Sequence, residues 1–241
     1  MSTLKESTNA MKRISEIESC STCIYRKLLF DKLSEVEHKI VNDSRMEYLC
    51  VKGEILKKEG QKIQSFMYLR KGLVKIYKTD KYGKDHILGI SRPGEFINLL
   101  SVFSGSLYNY SVAAIEETQV CEIKLSAMKS VIKSNHQFSL RLLNRISKMS
   151  EEMIAIQFDL NQKQVRGRVA YVLLMLADRI FKSYEFKMPI TRREVGEMIS
   201  MTTENTIRTL SEFRKDGIID ITGKNIRIRD YQRLVTVSKN G

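Results

Sequence analysis

No apolar run in this chain is long enough to cross a membrane. The longest, Ala170 to Ala177, falls far short of the about 20 residues a helical span requires. The opening segment, MSTLKESTNAMKRISEIES, lacks the hydrophobic core of a signal peptide, so the expectation is a cytoplasmic protein with no membrane partner. Cysteine is scarce, at 4 in 241 residues, which argues against structural disulfides and for free, metal-binding or redox thiols. The three histidines, His38, His86 and His136, share no short ligand spacing. Phosphate-cradling glycine loops, nucleophile elbows and paired catalytic carboxylates are missing as well, so no enzyme is expected. Negative charge is in deficit: 28 Asp and Glu stand against 41 Lys and Arg. The net charge of +13 calls for a polyanionic partner, either nucleic acid or an anionic membrane surface.

What is present fits a globular chain of two domains, 42% apolar and 29% charged. The basic excess is densest from Asn161 onward, where 16 Lys and Arg face 9 Asp and Glu. That region holds ITRREVGEMISMTTENTIRTLSEFRKDGII, from Ile190 to Ile219. Thr191 with Glu194 forms a capping box that starts one short helix, with Val195, Met198 and Ile199 on its apolar side and Gly196 allowing close approach. Ser200 and Met201 connect to a second cap, Thr202, and a helix running to about Asp216, which Gly217 ends in the left-handed conformation. Thr203, Glu204, Ile207 and Arg208 then share one face at the start of the second helix. On a helix lying in the major groove, Arg208 suits a guanine edge, Glu204 a cytosine amino group, and Thr203 and Ile207 the thymine methyl. Ile218 to Ile221, a turn at Thr222 to Asn225, and Ile226 to Arg229 read as a hairpin wing. Arg192, Arg193, Thr202, Lys215, Lys224, Arg227 and Arg229 are the candidates for phosphate contacts. Thr206 and Thr209 stand where a packed recognition helix prefers larger apolar side chains.

Earlier in the chain, from about Arg45 to Ile123, short strands alternate with turns marked by Gly53, Gly60, Gly72, Gly83 and Gly94, the pattern of an antiparallel sandwich or jelly roll. Expected strands are Glu54 to Lys58, Phe66 to Arg70, Leu73 to Lys78, His86 to Ile90, Tyr110 to Ile115 and Gln119 to Ile123, behind a helix from Asp31 to Asn42. Leu142, Ile146, Met149, Met153, Ile156 and Leu160 then recur at alternating spacings of 4 and 3, one seam of a long helix. Packing on its own sandwich is one outcome for that seam. A symmetric homodimer, which presents two reading heads one helical turn of DNA apart, is the other and the one expected. A helix from Val165 to Lys182 and a connector from Ser183 to Pro189 complete the sequence up to the Thr191 cap.

The order of these parts, with TENTIRTL from Thr203 to Leu210, resembles the Crp/Fnr family of bacterial transcription regulators. The resemblance implies an α+β fold: an N-terminal antiparallel β jelly roll like a cyclic-nucleotide-binding domain (residues 1–134 with the N-terminal cap), a dimerisation helix (135–161) and a C-terminal winged helix-turn-helix (162–241). It implies a homodimeric regulator of double-stranded DNA, with RNA polymerase as a further partner and an effector or redox input through the roll. In that family the glutamate and arginine at the start of the recognition helix read bases; they map onto Glu204 and Arg208. Thr203 stands where the cyclic-AMP receptor branch has arginine. The segment Gly94-Glu95-Phe96-Ile97 matches the family's nucleotide-binding turn. Its glutamate position is Leu99, however, and its arginine region reads Leu107-Tyr108-Asn109-Tyr110, so a cyclic nucleotide is not expected. The Fnr-like branch holds an iron-sulfur cluster on four cysteines. Cys20, Cys23 and Cys121 match three of them, Leu28 and Leu29 stand in place of another, and Cys50 is the candidate substitute. Three readings of the cysteines remain: a cluster, a thiol switch, or inert buried residues. The competing functions are an iron-sulfur or thiol-based redox protein whose helix-turn-helix is only a packing motif, and a cyclic-nucleotide-binding regulatory subunit.

Overall fold

The computed structural model describes residues 11–14, 23 and 29–241. Two compact units make up the chain. One comprises the residues up to Ile76 with Ile90–Ile146; the other comprises Tyr77–Gly89 with Ser147–Gly241.

The expected jelly roll is present as two four-stranded sheets. Strand β1 (Lys12–Arg13) precedes helix α1 (Glu35–Asp43), and β2 (Arg45–Cys50), β3 (Ile55–Lys57), β4 (Ser65–Lys71), β5 (Val74–Thr79) and β6 (Asp85–Ser91) follow. A one-turn helix α2 (Leu99–Val102), β7 (Ser111–Ala114) and β8 (Thr118–Lys124) close the roll. The strand orders are β1-β2-β8-β4 and β3-β7-β5-β6. All five turn glycines read from the sequence have positive φ, between 77° and 95°. Alternate residues of the strands meet in a core of Cys50, Leu56, Met67, Leu69, Val74, Ile97, Val112, Ala114 and Val120. The opposite face of β4 is buried too, because Phe66 and Tyr68 pack on Phe96 with ring centroids 4.8 and 5.1 Å apart. Phe30 stacks in turn on Phe138. This two-sided burial explains why β4 reads as a continuous apolar run rather than an alternation.

Helix α1 starts later than expected. Ser34 and Glu37 form its capping box, Glu37 accepting from the Ser34 amide at 2.9 Å, so the segment from Asp31 lies outside the helix. After β8 a helix not anticipated from the sequence, α3 (Leu125–Ser134), buries Ala127, Met128 and Val131. Asn135 then separates it from the long helix α4 (His136–Gln162), whose Phe138 amide donates to Asn135 Oδ1 at 2.9 Å.

In the second unit the expected helix from Val165 to Lys182 is two pieces: α5 (Val165–Leu174) and a π-helical segment (Met175–Phe181) that ends at Lys182 with φ +54°. The wider turns re-aim the last side chains, and Phe181 stacks on Phe186 with centroids 5.3 Å apart. Phe186 belongs to β9 (Glu185–Lys187), a strand inside what the sequence presents as a connector. It pairs with the wing and makes the head sheet three-stranded, in the order β10-β11-β9. Helices α6 (Arg192–Met198) and α7 (Thr203–Lys215), the hairpin β10 (Ile219–Thr222) and β11 (Asn225–Ile228), and a C-terminal helix α8 (Tyr231–Asn240) complete the unit. Helix α8 packs on α5, with Lys163 Nζ donating to the Ser238 carbonyl at 2.5 Å.

Candidate nucleic-acid interface

Local chemistry fixes the two helices of the head. Thr191 Oγ1 accepts from the Glu194 amide at 3.2 Å and Glu194 Oε2 from the Thr191 amide at 2.8 Å, the reciprocal cap read from the sequence. The connection between α6 and α7 is tight: the Met201 amide reaches the Gly196 carbonyl at 2.8 Å, and Ser200 takes φ +54° to make the corner. A Cβ on Gly196 would stand 2.8 Å from the Met201 carbonyl oxygen and 3.1 Å from Thr206 Oγ1, so glycine is the residue that lets the two helices meet. The small Thr206 and Thr209 are fully buried at this contact, and Thr206 Oγ1 donates to the Thr202 carbonyl at 3.0 Å. A larger apolar side chain at 206 would collide with that close approach.

Thr202 caps α7 through the Asn205 amide at 3.2 Å. The other end is a Schellman closure: the Ile218 amide bonds Phe213 O at 2.9 Å and the Gly217 amide bonds Arg214 O at 3.1 Å, with Gly217 at φ +71°. Thr206, Thr209, Leu210 and Phe213 seal the inner face. The opposite face holds Glu204, Ile207 and Arg208, with Ile207 48% exposed and the Arg208 side chain 67% exposed. Thr203 is half-buried at the edge of this face. Arg208 Nη2 donates to Asn205 Oδ1 at 3.0 Å, which holds the guanidinium along the first turn of the helix.

The basic residues divide into two groups. Lys215 and Lys224 are exposed, and Arg193 is exposed while bonded to Glu197 at 2.8 Å. Arg192 is half-buried; its Nη2 reaches the Gly223 carbonyl at 3.4 Å, and burial holds its pKa below the usual arginine value. Arg227 is engaged by Glu185 of β9 at 2.8 Å and Arg229 by Asp220 at 2.5 Å. Sequence reasoning missed Glu185, because it sits in the strand mistaken for a connector. It also missed Arg166 and Arg233, which reach α7 from α5 and α8. No local spacing signals partners 46 and 50 residues away.

The cysteine expectation is corrected at Cys50. On neighbouring strands Cys50 pairs with Thr118, whereas Cys121 pairs with Glu47, an odd offset that puts the two thiols on opposite faces of the sheet. Cys50 is fully buried in the apolar core, and burial, followed by the carboxylates of Glu54 and Glu122, pushes its thiol up to about 12. With Cys50 enclosed in the apolar core and Cys121 on the far face, the two thiols do not converge, so a four-cysteine shell completed by Cys50 does not fit this chain. Cys121 lies on the other face, opposite Glu47, a buried carboxylate bonded by Arg70 at 2.5 Å with Arg45 at 3.6 Å. Cys23 is half-buried, and Cys20 lies outside the described residues. Among the described residues no group of three His, Cys, Asp or Glu is arranged to hold a metal ion.

At the turn matching a nucleotide pocket, the chain's own groups engage the Asn98 amide. Asn98 is fully buried; its Oδ1 accepts from the Met67 amide at 2.9 Å, and its Nδ2 donates to the Ser65 carbonyl at 3.0 Å and to Tyr108 Oη at 3.2 Å. Leu99 is buried and Asn109 exposed, and neither supplies a cation for a cyclic phosphate.

Comparison with known proteins agrees with this architecture. Residues 50–135 match the cyclic nucleotide-binding domain family and residues 167–237 the Crp-like helix-turn-helix domain family. Electron transport regulator A of Shewanella oneidensis is 29% identical over 196 residues, covering 78% of this chain and 77% of that protein. The fumarate and nitrate reduction regulatory protein of Escherichia coli is 27% identical over 194 residues, 78% of this chain and 76% of that protein. In fold, the chain is similar to the structure of FixK2 from Bradyrhizobium japonicum, with a TM-score of 0.74 at 24% identity over 82% of this chain and 98% of that one. Roll and head occur in the same order in one polypeptide, joined by one long helix, and the chain belongs to the Crp/Fnr family of transcription regulators.

Proposed function

We propose that this protein is a homodimeric regulator of transcription, not an enzyme, that reads a pseudo-palindromic operator with the outward face of α7. The observation that carries the reading is the division of α7 itself. Its inner face is sealed by Thr206, Thr209, Leu210 and Phe213, and its outer face presents Glu204, Ile207 and Arg208 to solvent at the capped N-terminal end. Thr203, Glu204, Ile207 and Arg208 contact base edges; Arg192, Arg193, Thr202, Lys215, Lys224 and Arg227 supply salt-dependent backbone affinity. Arg227 exchanges its Glu185 partner for phosphate on binding.

The dimer forms along α4. That helix leaves Leu140, Leu143, Met153, Ile154 and Phe158 exposed at 53% or more, and of these Met153 lies on the heptad seam that a partner helix covers. Ile146, Met149, Met153, Ile156 and Leu160 form its seam, while Leu142 is already buried in its own unit. Residues 1–134 receive the input, 135–161 dimerise and 162–241 bind DNA in the cytoplasm, where the complex meets RNA polymerase. The relatives named for electron transport and for fumarate and nitrate reduction support a redox input to the roll. Anaerobic purification with iron and sulfide analysis separates a cluster from a thiol or small-molecule input.

The Arg208→Ala variant tests the reading directly. It weakens binding to a selected operator by about 1 to 3 kcal/mol and relaxes preference at one base pair per half-site. An equal loss of affinity for all sequences would make Arg208 a phosphate contact instead.

A further inference from the structure

Glu212 lies one helical turn beyond Arg208 on α7 and is shared by two arginines. Its Oε2 accepts from Arg166 Nη1 at 2.8 Å, while its Oε1 stands 4.0 Å from Arg208 Nε. Arg166 Nη2 donates to Asp216 Oδ2 at 2.6 Å, and its guanidinium lies over the Phe213 ring, 5.0 Å from the centroid. The Arg166 bond holds the Asp216 carboxyl below the usual carboxylate range. Arg166 is therefore fixed at three points along the back of α7. It is also the second residue of α5, just past the end of α4.

We infer that Arg166 is a positioning residue for base reading: by holding Glu212 it keeps that carboxylate from closing on Arg208. Glutamate and arginine at this spacing on a helix attract each other, and an arginine locked in such a pair must break it before donating two bonds to a guanine edge. With Glu212 anchored by Arg166, Arg208 keeps only the long contact to it at 4.0 Å and is held by Asn205 along the first turn of α7. Because Arg166 begins the helix that follows α4, displacement at the α4–α5 junction reaches Arg208 through one carboxylate. This role rests on α7 being the DNA-reading helix.

The test uses the full-length protein. A duplex is selected from a random-sequence library with the wild type, and its affinity is measured by fluorescence anisotropy against a random duplex of equal length. Arg166→Gln is expected to lower the specific-to-random affinity ratio about tenfold, within the range of one bidentate base contact, with little change on random DNA. Adding Glu212→Gln removes the competing carboxylate and restores the ratio to within about threefold of wild type. Glu212→Gln alone, which leaves the Arg166–Asp216 bond in place, keeps or raises the ratio. A Glu212→Gln loss as large as that of Arg166→Gln, or a double variant no better than Arg166→Gln, overturns the inference. So does an unchanged ratio in Arg166→Gln when the wild type has selected a sequence. Failure of the wild type to select any sequence overturns the DNA-reading assignment of α7, and the Arg166 role with it.

Discussion

Ser200 shows how much one residue's backbone matters to this head. A left-handed φ of +54° at a residue bearing a Cβ costs roughly 1 kcal/mol, and here it makes the corner between the two helices of the DNA-reading motif. Ser200→Gly removes that cost and regains some chain entropy in the unfolded state, so the expected net gain is about 0.5 kcal/mol. It appears as a higher urea midpoint at unchanged slope, and a lower midpoint would show that the serine side chain is needed there. Thr206 teaches the complementary lesson: its small size looks like a weakness in the sequence, yet with Gly196 beside it there is room for nothing larger.

Among the elements, the start of α4 depends on a junction of three helices. Glu37 of α1 accepts from Ser134 Oγ at 3.1 Å and from Asn135 Nδ2 at 2.9 Å, and it closes the α1 capping box. Burial alone raises a carboxyl pKa, but the bonds from Ser34, Asn135 and Ser134 outweigh it and hold Glu37 below its ordinary 4.5. A depressed folded value means that the stabilisation is complete above 4.5 and is lost as the pH falls through 4.5 and the lower folded value. Glu37→Gln is therefore expected to cost about 1 kcal/mol at pH 7, with the gap to wild type closing toward pH 3 in urea titrations. A gap that does not vary with pH would place the effect in packing and not in charge. The same junction explains why α3 escaped sequence reading: it is ten residues long, lacks a side-chain cap, and follows β8 directly.

For the whole molecule, the prediction concerns assembly. Met153 lies on the heptad seam and is 53% exposed in the single chain, so in the proposed homodimer Met153→Glu sets two carboxylates against each other across a two-fold axis. Like charges so placed cost several kcal/mol, and sedimentation equilibrium should show the dimer dissociating at least about 100-fold more readily. An unchanged dimer would move the interface to another face. Leu142 carries no such expectation, because its own unit buries it.

Periodicity and caps are local properties, and they were legible: the five turn glycines, the Thr191–Glu194 box, the Thr202 cap, Gly217 and the outward face of Glu204, Ile207 and Arg208 all follow from residues within a turn of one another. Pairing across the chain was not. The third wing strand at Glu185–Lys187, the opposed faces of Cys50 and Cys121, and the Arg166 clamp on Glu212 and Asp216 each depend on partners 38 to 74 residues apart. Whether two distant side chains meet is set by strand register and helix packing, which arise only when the burial of many residues is satisfied at once.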